Sequence, residues 1–424
     1  MKVQANVIVV ADSTTRAPLP NASIFSNDGK PAGISRTDGC LPAVQKELYP
    51  ITVRYMGYKE KTVDSADIDT IFLQENIIEL PEFVVDTRQS KYLHLLAYMR
   101  DCSTLSTYTD TIFLFREKMV DFMLPSEKKS SLRGWRKPRI LTSKSYYRFS
   151  NTQGLDSVSD HCRQHFSWTD WVGIVPEIEM PPHLCMQEAG NDTVKGRYGA
   201  TEIWRKNDSR LLIDIDVLAD TTSRKWVPNL SLFFHEDIDF EQFRLHLNYD
   251  NVADKIVRPS ALSGYSYTIE SNGRGRNMFM FNRVDEPFFV STYAEVYIVD
   301  KEYIPLKEAK KWNKRKSIAD EMVIYEPSEA PELQESILQL IAQVNDVNHD
   351  GIRLAQTPDH RLAGRNIEKV GSGQLILRRL KGMFGIDQLI GQRKMKRQWH
   401  QYRKDWVKKN SAKISNSDND CEDR

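Results

Sequence analysis

Ile203-Trp204-Arg205-Lys206-Asn207-Asp208-Ser209-Arg210-Leu211-Leu212-Ile213-Asp214-Ile215-Asp216-Val217 decides the fold class. Aliphatic and aromatic residues on both sides of an Asn-Asp turn predict two strands closed into a hairpin, because Asn and Asp tolerate the backbone that tight turns require. The second arm carries Asp214 and Asp216 on one face of one strand, about 6.5–7 Å apart by strand rise. The same style continues outward. Residues 111–115, 119–123 and 137–150 read as strands, and so does much of 194–300. Residues 265–270 and 277–282 flank Ser271-Asn272-Gly273-Arg274-Gly275, which predicts a second hairpin with a Gly-bearing loop. Residues 288–290 and 295–299 close the series.

These strands define an antiparallel β-rich domain over residues 109–305, whose long strands suggest a curved, half-open sheet of the kind found in periplasmic lipoprotein carriers. Before it, Tyr92, Leu95, Leu96 and Met99 fall at helical spacing and predict a helical connector over 87–108. After Pro305 the pattern turns helical. Residues 306–316 read as a charged, solvent-facing helix. Pro327-Ser328-Glu329-Ala330-Pro331 reads as a helix start with Ser328 as N-cap and Pro331 in the first turn. Leu333, Ile337, Leu340, Ile341, Val344 and Val347 then describe an amphipathic helix. The whole of 306–413 is expected to be helical and basic, interrupted by a polar loop at 349–373, and 414–424 to be a disordered acidic tail. The fold class is therefore mainly β with a helical C-terminal segment.

Composition sets the outer limits. The chain has 424 residues, 40% hydrophobic and 28% charged, with 17 Tyr, 17 Phe and 8 Trp. At roughly 150 residues per domain this suggests two to three folded domains. A balance of 59 Lys+Arg against 58 Asp+Glu excludes a polyelectrolyte built for nucleic acid. No run of about 18 apolar residues is present to span a bilayer as a helix. Cys40, Cys102, Cys162, Cys185 and Cys421 are too scattered for a disulfide scaffold. Cys162 and Cys185 are the pair that an oxidising compartment would bridge, against the plainer reading of two separate thiols near a core.

Residues 1–86 are short strands punctuated by turns: Val7-Ile8-Val9-Val10, then Ala22-Ser23-Ile24-Phe25, then Asn27-Asp28-Gly29, then Ile51-Thr52-Val53-Arg54-Tyr55. Turn signals every 8–12 residues or so predict an antiparallel sandwich of about seven strands. Within it, Asp12-Ser13-Thr14-Thr15-Arg16-Ala17-Pro18-Leu19-Pro20-Asn21-Ala22, Thr37-Asp38-Gly39, Tyr55-Met56-Gly57-Tyr58-Lys59 and Leu80-Pro81-Glu82-Phe83-Val84-Val85 occur in order. This series resembles the carboxypeptidase regulatory-like (carboxypeptidase D regulatory-like) domain. Where that family usually has Gly four residues before the Asp, this chain has Ile8. The resemblance implies an Ig- or transthyretin-like β-sandwich over residues 1–86. It implies structural roles for Asp12, Pro18, Leu19, Pro20, Ala22, Thr37, Asp38, Gly39, Tyr55, Gly57 and Tyr58. It also implies a cell-envelope setting, because the module often precedes TonB-dependent outer-membrane receptors. The module itself carries no catalytic residues.

Candidate chemistry is sparse. None of the nine His residues has Glu three positions later, so the zinc carboxypeptidase ligand pair is missing. His161 and His165 lie four apart without a helix to align them. Asp346-Val347-Asn348-His349-Asp350-Gly351 opens like a calcium loop, but the twelfth position is Thr357 and the eighth Arg353, which favours a capped helix end. Gly273-Arg274-Gly275-Arg276 lies between strands, the wrong context for a phosphate cradle. Residues 361–413 hold fifteen Lys/Arg against three Asp/Glu, and Arg378, Arg379, Lys381, Arg393, Lys394, Lys396, Arg397, Trp399 and Trp406 would suit an anionic surface.

The expectation is thus a non-catalytic envelope binding or scaffold protein without cofactor or metal. Its partner would be another envelope protein or an apolar ligand, and nucleic acid is disfavoured. One alternative is a hydrolase with His161, His165, Asp214 or Asp216 converging in the middle domain. Another is a membrane tether acting through residues 374–409. The compartment would be the periplasm or outer-membrane periphery if a leader is missing from the chain, and the cytoplasm as written, because Met1-Lys2-Val3-Gln4 leads straight into a strand.

Overall fold

The structure, a computed structural model, describes residues 8–76, 92–107, 110–126, 132–162, 165, 167–175, 177–196, 199–219, 239–252, 254–274, 287–314 and 323–346. Residues 8–76 carry six strands: β1 (Val9–Asp12), β2 (Ser23–Phe25), β3 (Pro31–Ile34), β4 (Ile51–Arg54), β5 (Lys61–Val63) and β6 (Thr70–Leu73). Strands β3-β2-β4-β5 make an antiparallel sheet, and β1 pairs with β6 in parallel. Val10, Ile24, Ile51, Val53, Ile71 and Leu73 from both sheets fill one core. The expectation of about seven antiparallel strands is corrected to six described strands with one parallel pair. A parallel pair needs a long crossover, which the intervening four-stranded sheet supplies.

Ten strands form the second sheet. These are β7 (Tyr92–Ser106), β8 (Asp110–Pro125), β9 (Trp135–Asn151), β10 (Asp156–Ser159), β12 (Ala189–Lys195), β13 (Ala200–Asn207), β14 (Arg210–Asp216), β15 (Asp239–Tyr249), β17 (Leu262–Arg274) and β18 (Pro287–Ile304). Their spatial order is β10-β9-β8-β7-β18-β17-β15-β14-β13-β12, and every pairing is antiparallel. The hairpin over 203–217 is present as β13 and β14, with Asp208 in the left-handed region at φ 49°. Segments 111–115 and 119–123 belong to one strand, as do 288–290 and 295–299. The loop expected at 271–275 is corrected: residues 271–274 still pair with β18, and 275–286, including the expected arm 277–282, lie outside the described residues.

The helical connector at 87–108 is overturned, because Tyr92–Ser106 is a fifteen-residue strand in the middle of the sheet. Both faces of that strand are covered. Leu93, Leu95, Ala97 and Met99 point into one core, while Tyr92, Tyr98 and Cys102 pack into others on the opposite face. A strand covered on both sides shows a continuous apolar run, from which helical spacing can be picked out by accident. The β domain therefore begins at Tyr92 and not at 109.

One face of the sheet carries the largest core and is covered by a strap, residues 167–185. The strap has little regular structure: β11 (Ile178–Glu179), paired with β16 (Ile256–Val257), and the single turn α1 (Pro182–Cys185). Its Trp168, Val172, Ile174, Met180 and Leu184 are buried in the core. The opposite face carries the six-stranded module and two helices, α2 (Leu306–Lys314) and α3 (Glu335–Asp346). The first is not wholly solvent-facing, since Ala309 is buried and Leu306 and Trp312 pack beside Tyr92 and Met123. The second buries Ile337, Leu340 and Val344 against Cys102, Phe113, Phe115 and Tyr146. It starts seven residues after Ser328, so the proposed N-cap falls in a preceding turn closed by Ala330 N–H to the Pro327 carbonyl, and Pro331 lies in the segment between that turn and the helix. Module, ten-stranded sheet and this segment belong to one compact unit, Met1–Val344. The polar loop at 349–373, the basic stretch 374–409 and the acidic tail 414–424 lie outside the described residues.

Candidate functional site

The module is welded to the sheet by a buried polar network centred on Asp214. Strand alternation sends Leu211, Ile213 and Ile215 into the strap-side core and leaves Leu212, Asp214 and Asp216 facing the module. On the neighbouring strand, Phe243, Leu245 and Leu247 point inward, while Arg244, His246 and Asn248 face the module. Asp214 is 2% exposed. It accepts hydrogen bonds from Tyr55 Oη (2.8 Å), Asn21 Nδ2 (3.2 Å) and Arg205 Nη2, and its other close partner is His246 Nδ1 at 2.9 Å. His246 Nε2 faces the Met56 carbonyl at 3.2 Å. Burial pushes the Asp214 carboxyl up, but the charges of His246 and Arg205 outweigh it and hold it below the usual carboxylate range. Asp216 pairs with Arg244 at 3.1 Å, and Arg244 also donates to Asn21 Oδ1 at 3.1 Å.

Beside this weld a cleft of about 830 Å³, counted out to its open mouth, lies between the module, the sheet and the turn before α3. Gly57, at φ 87°, lines it, and a Cβ there would meet Arg210 Nη2 at 2.2 Å. The Arg210 guanidinium donates to the Gly57 carbonyl and to Asn248 Oδ1, both at 3.2 Å. At the other end, Glu295 takes Arg100 Nε at 2.7 Å and Tyr293 Oη at 2.6 Å. Burial pushes the Glu295 carboxyl up, but Arg100 and Arg54 bring it down to about 2. Arg54 bonds Glu60 at 2.7 Å and the Glu332 carbonyl at 3.2 Å, and Arg100 bonds the Pro331 carbonyl at 2.7 Å. The two arginines thus tie the module and the 331–332 segment to the sheet. The cleft walls include Arg54, Arg210 and Glu295, each in an ion pair, together with Glu329 and the side chains of Met56, Tyr297 and Pro331.

A second charged cluster holds the strap. Lys118 Nζ, fully buried on the strap face, lies 3.1 Å from Asp101 and 2.8 Å from Asp170 of the strap. Arg116 reaches Asp101 at 3.2 Å and Thr169 Oγ1 at 2.6 Å. Trp168 Nε1 donates to Ser271 Oγ at 2.7 Å, and Tyr267 Oη to the Thr169 carbonyl at 2.8 Å.

The residues quoted for the resemblance sit where the module makes its turns and its weld. Asp12 Oδ1 accepts from Thr14 and Thr15 N–H at 2.6 and 2.7 Å, and Oδ2 from Tyr58 Oη at 2.7 Å. Pro18 bridges Ala11, Leu19 and Ala22 are fully buried, and Pro20 is buried too. Asp38 accepts from Cys40 N–H at 2.9 Å, beside exposed Thr37 and Gly39 at φ 79°. Tyr55 and Gly57 face the sheet and the cleft.

The four residues named for a hydrolase do not converge. Asp214 is locked in the weld, and His165 is half-buried on the strap side against Tyr147. His161 is exposed, and Asp216 pairs with Arg244. Burial and the Arg116 charge pull His165 down to about 3. Among the described residues no group of His, Cys, Asp and Glu is arranged to hold a metal ion, and no disulfide is formed; Cys162 and Cys185 both pack against the strap-side core. The nine residues offered for an anionic surface, Arg378 to Trp406, lie outside the described residues. Sequence reading missed His246, Arg205 and the Lys118 cluster. A signal was present: Arg244-Leu245-His246-Leu247-Asn248 sets cations and amides on every second position of a core strand, which marks a face covered by something polar.

No protein-family model matches the chain, and no curated protein does. Among solved structures, "Lipid-protein interactions in lipovitellin" aligns with 52% of this chain and 26% of its own at 8% identity, with a TM-score of 0.24. So loose a likeness carries no argument about fold or function.

Proposed function

We propose that the protein is a non-catalytic binding or scaffold protein of the cell envelope, whose N-terminal module docks on the long sheet and shapes a cleft for a partner or ligand. The observation that carries this reading is the cleft beside the weld, walled by both bodies and open at its mouth, with Arg54 and Glu295 on its walls held in ion pairs to Glu60 and Arg100. Glu295 is engaged by Arg100 and Tyr293, and Arg54 by Glu60. The ordered motif series from Asp12 to Val85, whose last member at 80–85 lies outside the described residues, supports identifying the module as regulatory-like, and through that resemblance supports the envelope setting. A photo-crosslinking residue at Asn76 or Glu329, at the rim of the cleft, tests the reading in native cells. One discrete adduct in the envelope fraction is expected. Adducts absent in every fraction, or the unprocessed protein found only in cytosol, would overturn it.

A further inference from the structure

Both ring nitrogens of His246 face groups that can only accept: Nδ1 the Asp214 carboxylate at 2.9 Å, Nε2 the Met56 carbonyl at 3.2 Å. A neutral imidazole has one donor and one acceptor nitrogen. Whichever tautomer it took, a lone pair would lie against an oxygen at hydrogen-bond distance with no water to intervene, because the side chain is 2% exposed. Only the doubly protonated ring satisfies both contacts. We infer that His246 is an imidazolium in the assembled protein, and that its deprotonation loosens the module from the sheet, making the weld a pH-responsive latch.

The surroundings fit a charged ring. Asp214 faces it from β14, and the Tyr55 ring lies 4.3 Å from it on the module side. Tyr55 Oη donates to Asp214 while contacting Arg205, so the hydroxyl's one proton is already committed and cannot serve His246. The competing cation is Arg205 on β13, which shares Asp214. Arg244, two residues along β15, is neutralised by Asp216. On the remaining side the neighbour across the ladder is uncharged Ser266, with Glu295 one strand further on. The acid side has its own limit: Asp214 must stay ionised, and its neighbours hold its carboxyl below the usual range. The latch is therefore closed in mild acid and opens as pH rises. Its moving part is the segment Tyr55–Tyr58, which is also a wall of the cleft. Loss of the Met56 contact would alter the cleft without unfolding either core.

Nitrogen NMR on histidine-labelled full-length protein reads the ring directly. At mildly acidic pH the His246 ring is expected to show two protonated nitrogens, and a single protonated nitrogen there overturns the inference. Hydrogen exchange supplies the second readout, on the free protein and without any ligand, so it stands or falls separately from the proposed binding role. The Tyr58 amide bonds the Tyr55 carbonyl and the Asn76 amide bonds the Gly57 carbonyl. Corrected for intrinsic rates, their protection should be about ten- to hundredfold lower once the ring has lost a proton than while it carries two, as read by the nitrogen spectra, the range expected for losing charge-assisted hydrogen bonds. His246→Gln, which cannot titrate, should abolish that dependence. Protection that is flat with pH in the unsubstituted protein, or equally pH-dependent in the Gln variant, would refute the latch.

Discussion

Replacing Lys118 by Met tests whether charge balance holds the strap. The cluster is neutral as built, with Lys118 and Arg116 against Asp101 and Asp170. Methionine keeps most of the volume, but it leaves one negative charge in excess on the covered face. Removing one partner of a buried pair costs about 3–5 kcal/mol. The lower end applies here for two reasons. Asp101, though fully buried, keeps Arg116 at 3.2 Å, and the Asp170 side chain is 43% exposed, so water can share its charge. A loss of about 3 kcal/mol is therefore expected, a sizeable part of the roughly 5–15 kcal/mol that holds an ordinary domain together. Urea unfolding reads it as a lower midpoint at unchanged slope. Adding Asp170→Asn restores neutrality, and the double variant should regain about 1–3 kcal/mol of coupling. A single variant costing under about 1 kcal/mol, or a second substitution that adds to the loss, would refute the argument.

Two further outcomes are expected. Trp168→Phe keeps the ring in the core but strips Ser271 Oγ of its 2.7 Å donor, so unfolding free energy should drop by about 1–3 kcal/mol with the strap becoming a preferred site of limited proteolysis. Glu295 sits at about 2 when folded, below its ordinary 4.5, so its contribution is complete above that ordinary value and is lost as pH falls towards 2. Thermal melts across that window should show Glu295→Gln with a shallower acid limb than the parent. A tether acting through residues 374–409, the alternative reading, would require salt-sensitive binding to anionic vesicles that deletion of those residues abolishes, and salt-independent or absent binding by the intact chain would rule it out.

The β character was legible because turn chemistry is local. Asn207-Asp208, Asp38-Gly39 and the β-branched runs around them need no knowledge of what packs on top. The Asp12 motif was legible for the same reason, since its carboxylate bonds amides two and three residues away. What failed was tertiary. Tyr92 to Met99 reads as helix until both faces of its strand are known to be covered, by the strap-side core on one and by α2, α3 and the 324–330 segment on the other. Ser328 and Pro331 look like a helix start, yet Pro331 and Glu332 give their carbonyls to Arg100 and Arg54, contacts that no local rule foresees. Asp214 and Asp216 were rightly placed on one face, but the partners of Asp214, His246 and Tyr55, lie thirty-two and one hundred and fifty-nine residues away.

The two faces of the long sheet also solve burial differently, and the difference bears on where function resides. The strap face is closed by apolar side chains pinned at one charged cluster, so exposing it would cost most of a core. The module face is closed by a smaller apolar contact, Leu212 within the module's core and Phe25 edge-on to Tyr293 at 4.9 Å, supplemented by ion pairs and hydrogen bonds. Hydrogen bonds contribute modestly when made and cost heavily when broken singly. Such a joint is therefore firm while every partner is in its ionised or tautomeric state, and weakens sharply when one proton moves. A face intended only as structure gains more from apolar side chains of equal volume. Concentrating Asp214, His246, Arg205, Arg54, Arg100 and Glu295 along the module joint, next to the cleft, gives that joint the capacity to change state that the strap face lacks.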